Sequence, residues 1–193
     1  MVKYEYKQRD FDNPSFLFSL EDKLKGLLGC PLLYNSYFKT FNLSGNEKIL
    51  DFGCGGGAGS RCLAKLLNDS GHLTCVDLSN YWIDKAKRRL ERYPNVECLA
   101  GDIRKLDITE NSFDVISTIY VIHDIAPEER QSVIDKLAKL LNKTGKIFIR
   151  EPIKESHGMP VQEILSLLKS SGVKENKSDS GKSEYRGVFT HEA

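Results

Sequence analysis

No stretch of this chain stays apolar for the roughly 18 residues that a membrane helix needs, and its opening, Met1-Val2-Lys3-Tyr4-Glu5-Tyr6-Lys7, has no apolar leader core. Charge of one sign is missing too. Lys and Arg number 28 against 27 Asp and Glu, a net charge of +1, so no global field recruits nucleic acid or an anionic membrane. Cysteine is scarce and scattered: five residues, an odd number, none spaced C-x-x-C. That excludes a zinc-ribbon pattern and argues for reduced thiols over a disulfide framework. Repeats and low-complexity tracts are absent as well. These absences predict a cytoplasmic protein with no membrane span, no metal and no nucleic-acid partner. With 193 residues, 40% of them hydrophobic, the chain is long enough to bury a substantial core.

Glycine, by contrast, is concentrated. Ile49-Leu50-Asp51-Phe52 ends an apolar strand in an acid, and five glycines follow within seven residues, Gly53 to Gly59. Such a cluster costs backbone entropy, so its loop must be tight and bare. Bare backbone lets a large ligand approach main-chain N–H groups at a helix start.

Around this loop the pattern alternates strand and helix. Strands are predicted at 48–52, 72–77, 96–100, 113–119 and 146–150, with a closing antiparallel pair at 173–177 and 185–191. Helices fall at 60–68, 80–92, 127–141 and 160–171. Pro127 enters the third and Gly172 ends the fourth. The implied fold is α/β: a doubly wound, mostly parallel, seven-stranded Rossmann-like sheet with an antiparallel final strand and helices on both faces. Ahead of it, residues 1–13 carry no period. Phe16, Leu20, Leu24, Leu27 and Leu28 then recur at helical spacing until Gly29 and Pro31, and Leu33, Tyr37, Phe38 and Phe41 follow. We divide the chain into a helical cap, 1–45, and one globular unit, 46–193.

Three strand ends carry acids: Asp51, Asp77 and, just past the third strand, Asp102. Each would serve as a helix cap. Together they line the sheet edge where a nucleoside binds such folds. An ionised carboxylate after the second strand accepts both hydroxyls of a ribose. One after the third accepts from an adenine amine. Asp51 suits an ammonium, directly or through water, and would repel a pyrophosphate. The spacing Gly53, Gly55, Ala58 formally matches a dinucleotide fingerprint, a weak signal alone. The acids instead favour S-adenosylmethionine, which has an ammonium and a sulfonium and no phosphate.

At this point the chain resembles the class I S-adenosylmethionine-dependent methyltransferases, and within them the small-molecule group that includes the quinone-biosynthesis enzymes. The motifs occur in order over residues 47–151: ILDFGCGGGAGS, CVDLSNYWIDKAK, NVECLAGDIRKL, ENSFDVISTIYVIHDI and LAKLLNKTGKIFIREP. The resemblance implies that Asp51, Gly53 and Gly55 contact the methionine part and that Asp77 holds the ribose. It implies that Leu78 and Trp82 flank the adenine and that Asp102 and Ile103 read its edge. Thr118 would approach the methionine from the other side. The implied cofactor is S-adenosyl-L-methionine, the product S-adenosyl-L-homocysteine, and the partner a small-molecule methyl acceptor attacked in line. His123 follows the fourth strand near the expected methyl group and would position or deprotonate an acceptor. Glu151 and His157 are further candidates on the acceptor side. Cys54 reads as a small packing residue. Two other readings stay open: a nicotinamide-dependent oxidoreductase, with no role for Asp51 or Asp102, and a non-catalytic protein that binds S-adenosylmethionine.

Overall fold

The computed structural model describes residues 4, 6, 10–16, 20, 22, 24 and 34–192. The chain divides into two compact units, one of residues 10–102 and one of residues 1–9 with 103–193.

In the first unit three parallel strands run in the order β3-β2-β1: β1 Lys48–Phe52, β2 His72–Asp77 and β3 Val96–Ala100. Ile49, Leu50, Leu73, Cys75 and Val76 are fully buried. Strands covered on both faces have little use for alternation, which explains the near-continuous apolar runs of β1 and β2. Helix α1, Asn35–Lys39, buries Tyr37 and Phe38. With Phe41 these rings form edge-on pairs 5.2 Å apart. Helix α2 is short, Ser60–Ala64, where the sequence predicts a helix to 68; Asn68 turns back to accept from Gly71. Helix α3, Asn80–Leu90, buries Trp82, Ile83, Ala86 and Leu90 on one stripe, with Ser79 accepting at its N-cap from the Trp82 N–H. Among the described residues of the expected apolar stripe near the N-terminus, Phe16, Leu20 and Leu24 are exposed, while Asp22 is buried. Arg89 and Lys85 hold it there by ion pairs. Leu27, Leu28, Gly29, Pro31 and Leu33 lie outside the described residues.

In the second unit β4, Phe113–Ile119, pairs in parallel with β5, Leu141–Lys154. Strand β5 pairs antiparallel with β8, Glu184–His191, and β8 with β7, Val173–Ser180. All seven expected strands are therefore present, and β6, His157–Gly158, is added as a two-residue hairpin on the end of β5. Strand β5 runs past its expected bounds at both ends: Leu141 pairs with Phe113 at its start, and Ile153 and Lys154 pair with β6 at its finish. Helix α4, Pro127–Leu140, starts with proline and two glutamates and buries Val133, Ile134, Leu137 and Leu140. Helix α5, Val161–Ser170, buries Ile164 and Leu168.

Among the five cysteines Cys54, Cys75 and Cys98 are free. Cys62 is disulfide-bonded, a departure from the expectation of reduced thiols throughout. Among the described residues no helix is long and apolar enough to cross a membrane.

Candidate active site

The glycine loop is bare for identifiable reasons. Gly53, Gly55 and Gly57 all have positive φ, which disfavours any side chain. A Cβ on Gly57 would press into the Ala86 backbone, and one on Gly56 would strike the Asp22 carboxylate. At Gly55 nothing lies within 4 Å, so its open face is space for a ligand rather than packing.

Asp77, at the end of β2, is bound into that loop. Its two carboxylate oxygens accept from the Gly55 N–H at 2.9 Å and the Ser79 N–H at 3.0 Å. One lone pair on each oxygen remains for other donors. Burial pushes its carboxyl above the ordinary value, and nearby Asp12 adds to that, while the Ser79 and Gly55 N–H groups oppose it. The Gly101 N–H donates to the Asp77 carbonyl at 2.9 Å, which ties the segment bearing half-buried Asp102 to the same edge. Asp51 is buried and accepts from the Ser60 hydroxyl at 2.6 Å, so one oxygen steadies the start of α2. Leu78 is 67% exposed beside Asp77 and Trp82 is buried beneath, its ring edge-on to Tyr81 and capped by the Lys85 ammonium. Six predicted cofactor residues thus fall on one stretch of this unit's strand ends, and Trp82 sits in the helix behind them. Two N-terminal contacts land here as well. Ser79 donates to the Phe11 carbonyl and pairs with Asp12, and Arg89 donates to the Gly56 carbonyl while pairing with Asp22.

Ile103, Thr118 and His123 belong to the other unit. Ile103 is buried. Thr118 is fully buried with a hydroxyl that has no hydrogen-bond partner, as is Ser117. Past β4, Tyr120 has φ 59°, a conformation rare for a non-glycine residue. It turns the chain into a 3-10 turn, Ile122–Asp124. The turn aims the Val121 and Ile122 N–H groups at one oxygen of Glu151, each at 2.8 Å. The other oxygen of Glu151 meets His123 Nδ1 at 2.7 Å. Glu151 is fully buried and His123 nearly so. The carboxylate therefore fixes Nδ1 as the protonated nitrogen and leaves Nε2 as the base. That Nε2 has no hydrogen-bond partner; an Asp124 oxygen stands 3.5 Å away. His123 lines a cavity of about 150 Å³ together with Tyr4, Tyr6, Asp124, Arg130, His157 and Glu163.

The sequence names His123 as catalytic and Glu151 and His157 as further candidates on the acceptor side. The structure joins them. His157 on β6 packs edge-on against the His123 ring with centroids 4.8 Å apart. Glu151, just past the expected strand 146–150, was legible as a signal; its pairing with His123 depends on register between distant segments. Tyr4, Tyr6 and Arg130 were not singled out, since nothing local marks them.

A family of proteins described as the methyltransferase domain matches residues 49–145, half of the chain, from β1 to the end of α4 and beyond. The chain belongs to that family. Among curated relatives of the methyltransferase domain, tRNA N(3)-cytidine methyltransferase of Gallus gallus is 31% identical over 126 residues, 62% of this chain and 34% of that protein. Arsenite methyltransferase of Mus musculus is 30% identical over 117 residues, 55% of this chain and 31% of that one. The chain thus spans about a third of the length of these relatives. Among solved structures, a TehB-like SAM-dependent methyltransferase of Corynebacterium glutamicum superposes with a TM-score of 0.76 at 21% identity, covering 93% of this chain and 100% of that one. The fold is accordingly the Rossmann-like methyltransferase fold. The match is to the family at large and does not single out its quinone-biosynthesis members.

Proposed function

We propose that this chain is an S-adenosylmethionine-dependent methyltransferase acting on a small-molecule acceptor. The observation that carries the reading is the Asp77 carboxylate, locked by Gly55 and Ser79 beside the open face of Gly55. It supplies acceptors for two ribose hydroxyls next to backbone with no side chain in the way. Asp77 would hold the ribose, Gly53 and Gly55 the methionine backbone, and Asp102 the adenine amine. Leu78 and Trp82 would border the base. Asp51 would face the ammonium, and the resemblance to this family implies that Thr118 approaches the methionine. The Phe11, Asp12 and Asp22 contacts support reading the N-terminal stretch as a cover for this loop. When bound, S-adenosylmethionine supplies an activated methyl carbon, so the protein chiefly aligns the partners and excludes water, an effect that contributes roughly 7–11 kcal/mol to such reactions.

His123 is assigned the acceptor's proton. Glu151 holds its imidazole in one tautomer and stabilises the imidazolium once the proton arrives. A cavity of about 150 Å³ and a net charge of +1 favour a small molecule over a polynucleotide. Calorimetric titration with S-adenosylhomocysteine and, separately, with nicotinamide dinucleotides tests the reading. Micromolar binding of the first and none of the second is expected; the reverse result would exclude it.

A further inference from the structure

We infer that Tyr120 is a positioning residue for His123: its left-handed backbone turns the chain so that Glu151 grips the imidazole, and its clamped ring holds that turn. The inference rests on the methyltransferase reading above for what His123 does, and deepens it. All the residues involved belong to the unit of residues 1–9 and 103–193. Strands β4 and β5 stay in register up to Ile119 and Arg150, and the Tyr120 N–H still donates to the Arg150 carbonyl at 2.7 Å. A chain that ran on as a strand would pair its backbone with β5 instead of turning two N–H groups onto a carboxylate. A φ of 59° at Tyr120 makes the turn in one residue. The Val121 and Ile122 N–H groups then converge on one Glu151 oxygen while the other meets His123 Nδ1. For a bulky residue such a φ is costly, and it persists only where the surroundings over-determine it.

The surroundings do so from both sides of the sheet. Neighbouring side chains leave a strand on opposite faces, so Glu151 and Arg150 act on the turn from different sides. The Arg150 guanidinium lies over the Tyr120 ring, 5.2 Å from its centroid, and the Tyr120 hydroxyl donates to Glu184. Glu184 in turn accepts from Arg150 Nε at 2.9 Å and Arg186 Nε at 2.6 Å. Burial and the Glu184 bond push the phenol up to about 12, so it stays a donor across the neutral range. The ring is 41% exposed; polar ties hold it more than packing does. Arg130 closes the far end of the turn, donating to the Ile125 carbonyl at 3.0 Å and the His123 carbonyl at 3.1 Å while it pairs with Glu163. A glycine at 120 would adopt the same φ without strain. The tyrosine adopts it and also ties the turn to β5 and β8.

The test reads the imidazole in the intact, isotope-labelled protein by long-range proton–nitrogen NMR, taken to the alkaline limb where the ring is neutral. His123→Asn identifies its signals among the four histidines. The native protein should show a protonated Nδ1 and a bare Nε2. Tyr120→Val puts a β-branched residue at a positive φ; it should lose the Nδ1-bound proton and show the two tautomers averaged. Tyr120→Gly should keep the native pattern. A native pattern in Tyr120→Val would overturn the inference, as would loss of that pattern in Tyr120→Gly. Thermal melting checks folding, and Tyr120→Ala replaces Tyr120→Val if the latter does not melt cooperatively. S-adenosylhomocysteine is titrated in parallel. Native protein that fails to bind it would remove the methyltransferase reading, while the spectra would still decide the place of Tyr120.

Discussion

Asp77 carries opposed demands within one residue. Buried against the loop, its carboxyl is raised, burial being the largest cause, yet its ionised form is the better acceptor for two hydroxyls. Asp77→Ala should therefore weaken S-adenosylmethionine by about 1.5–3 kcal/mol, read by calorimetry; unchanged affinity would contradict the placement. The sign of the pH effect follows. A carboxyl raised on folding stabilises the fold below its unfolded value, and that contribution disappears as pH rises through the folded value. Urea unfolding across the acid range should show such a component in the native chain and not in Asp77→Asn. Cofactor affinity should run the other way, falling as acid protonates Asp77. Glu151→Gln leaves an acceptor for the Val121 and Ile122 N–H groups but presents an amide to His123. A loss in kcat of roughly 100-fold, with a shifted pH profile and unaltered S-adenosylhomocysteine binding, is expected. A profile that stays put would mean that Glu151 merely fills space. The Cys54 thiol is pushed up to about 11; a bond with Cys75 lowers it, but burial and the Asp77 and Asp51 charges win. At pH 8 the thiolate fraction is about 10⁻³, so iodoacetamide should leave Cys54 unmodified by mass spectrometry of the native protein.

At the scale of elements, the β5–β6 hairpin matters most. It exists because Ile153 pairs with Gly158 and Lys154 with His157, and it sets His157 against His123. A Cβ on Gly158 would collide with the Pro152 backbone, so Gly158→Ala must deform the hairpin. Acceptor KM should rise several-fold while S-adenosylhomocysteine affinity holds; a fall in cofactor affinity instead would tie the hairpin to the wrong ligand. Helix α3 depends on Ser79, which caps it and also holds Phe11 and Asp12. Much at this scale was legible. The strand periods, the proline at α4 and the closing pair follow from local sequence. Strand β5 exceeded its expected bounds at both ends because Leu141 pairs with Phe113 and residues 151–154 pair with β8 and β6, which local pattern does not encode. The stripe of Phe16, Leu20 and Leu24 failed for a related reason: helical spacing declares a face and says nothing about which face has something to cover it.

Across the whole molecule, ligand linkage offers the broadest check. A ligand at a hundred times its Kd stabilises the folded state by about 2.7 kcal/mol, which in a chain of this size corresponds to a rise in Tm of roughly 5–10 °C. Saturating S-adenosylhomocysteine should give such a rise and a nicotinamide dinucleotide none. The compact units divide between Asp102 and Ile103, just past Gly101. Residues 1–9 group with the far end of the chain, so Tyr4 and Tyr6 line a cavity with residues more than a hundred positions away.

Local chemistry alone sufficed for the alternating fold, the bare loop and the acids at the ends of β1, β2 and β3, because strand and turn preferences act over a few neighbours. Which partners those groups meet was settled by tertiary structure. The bond between Glu151 and His123, the commitment of Arg130 to Glu163, and the open space at Gly55 all arise from segments brought together by packing, and no spacing along the chain records them.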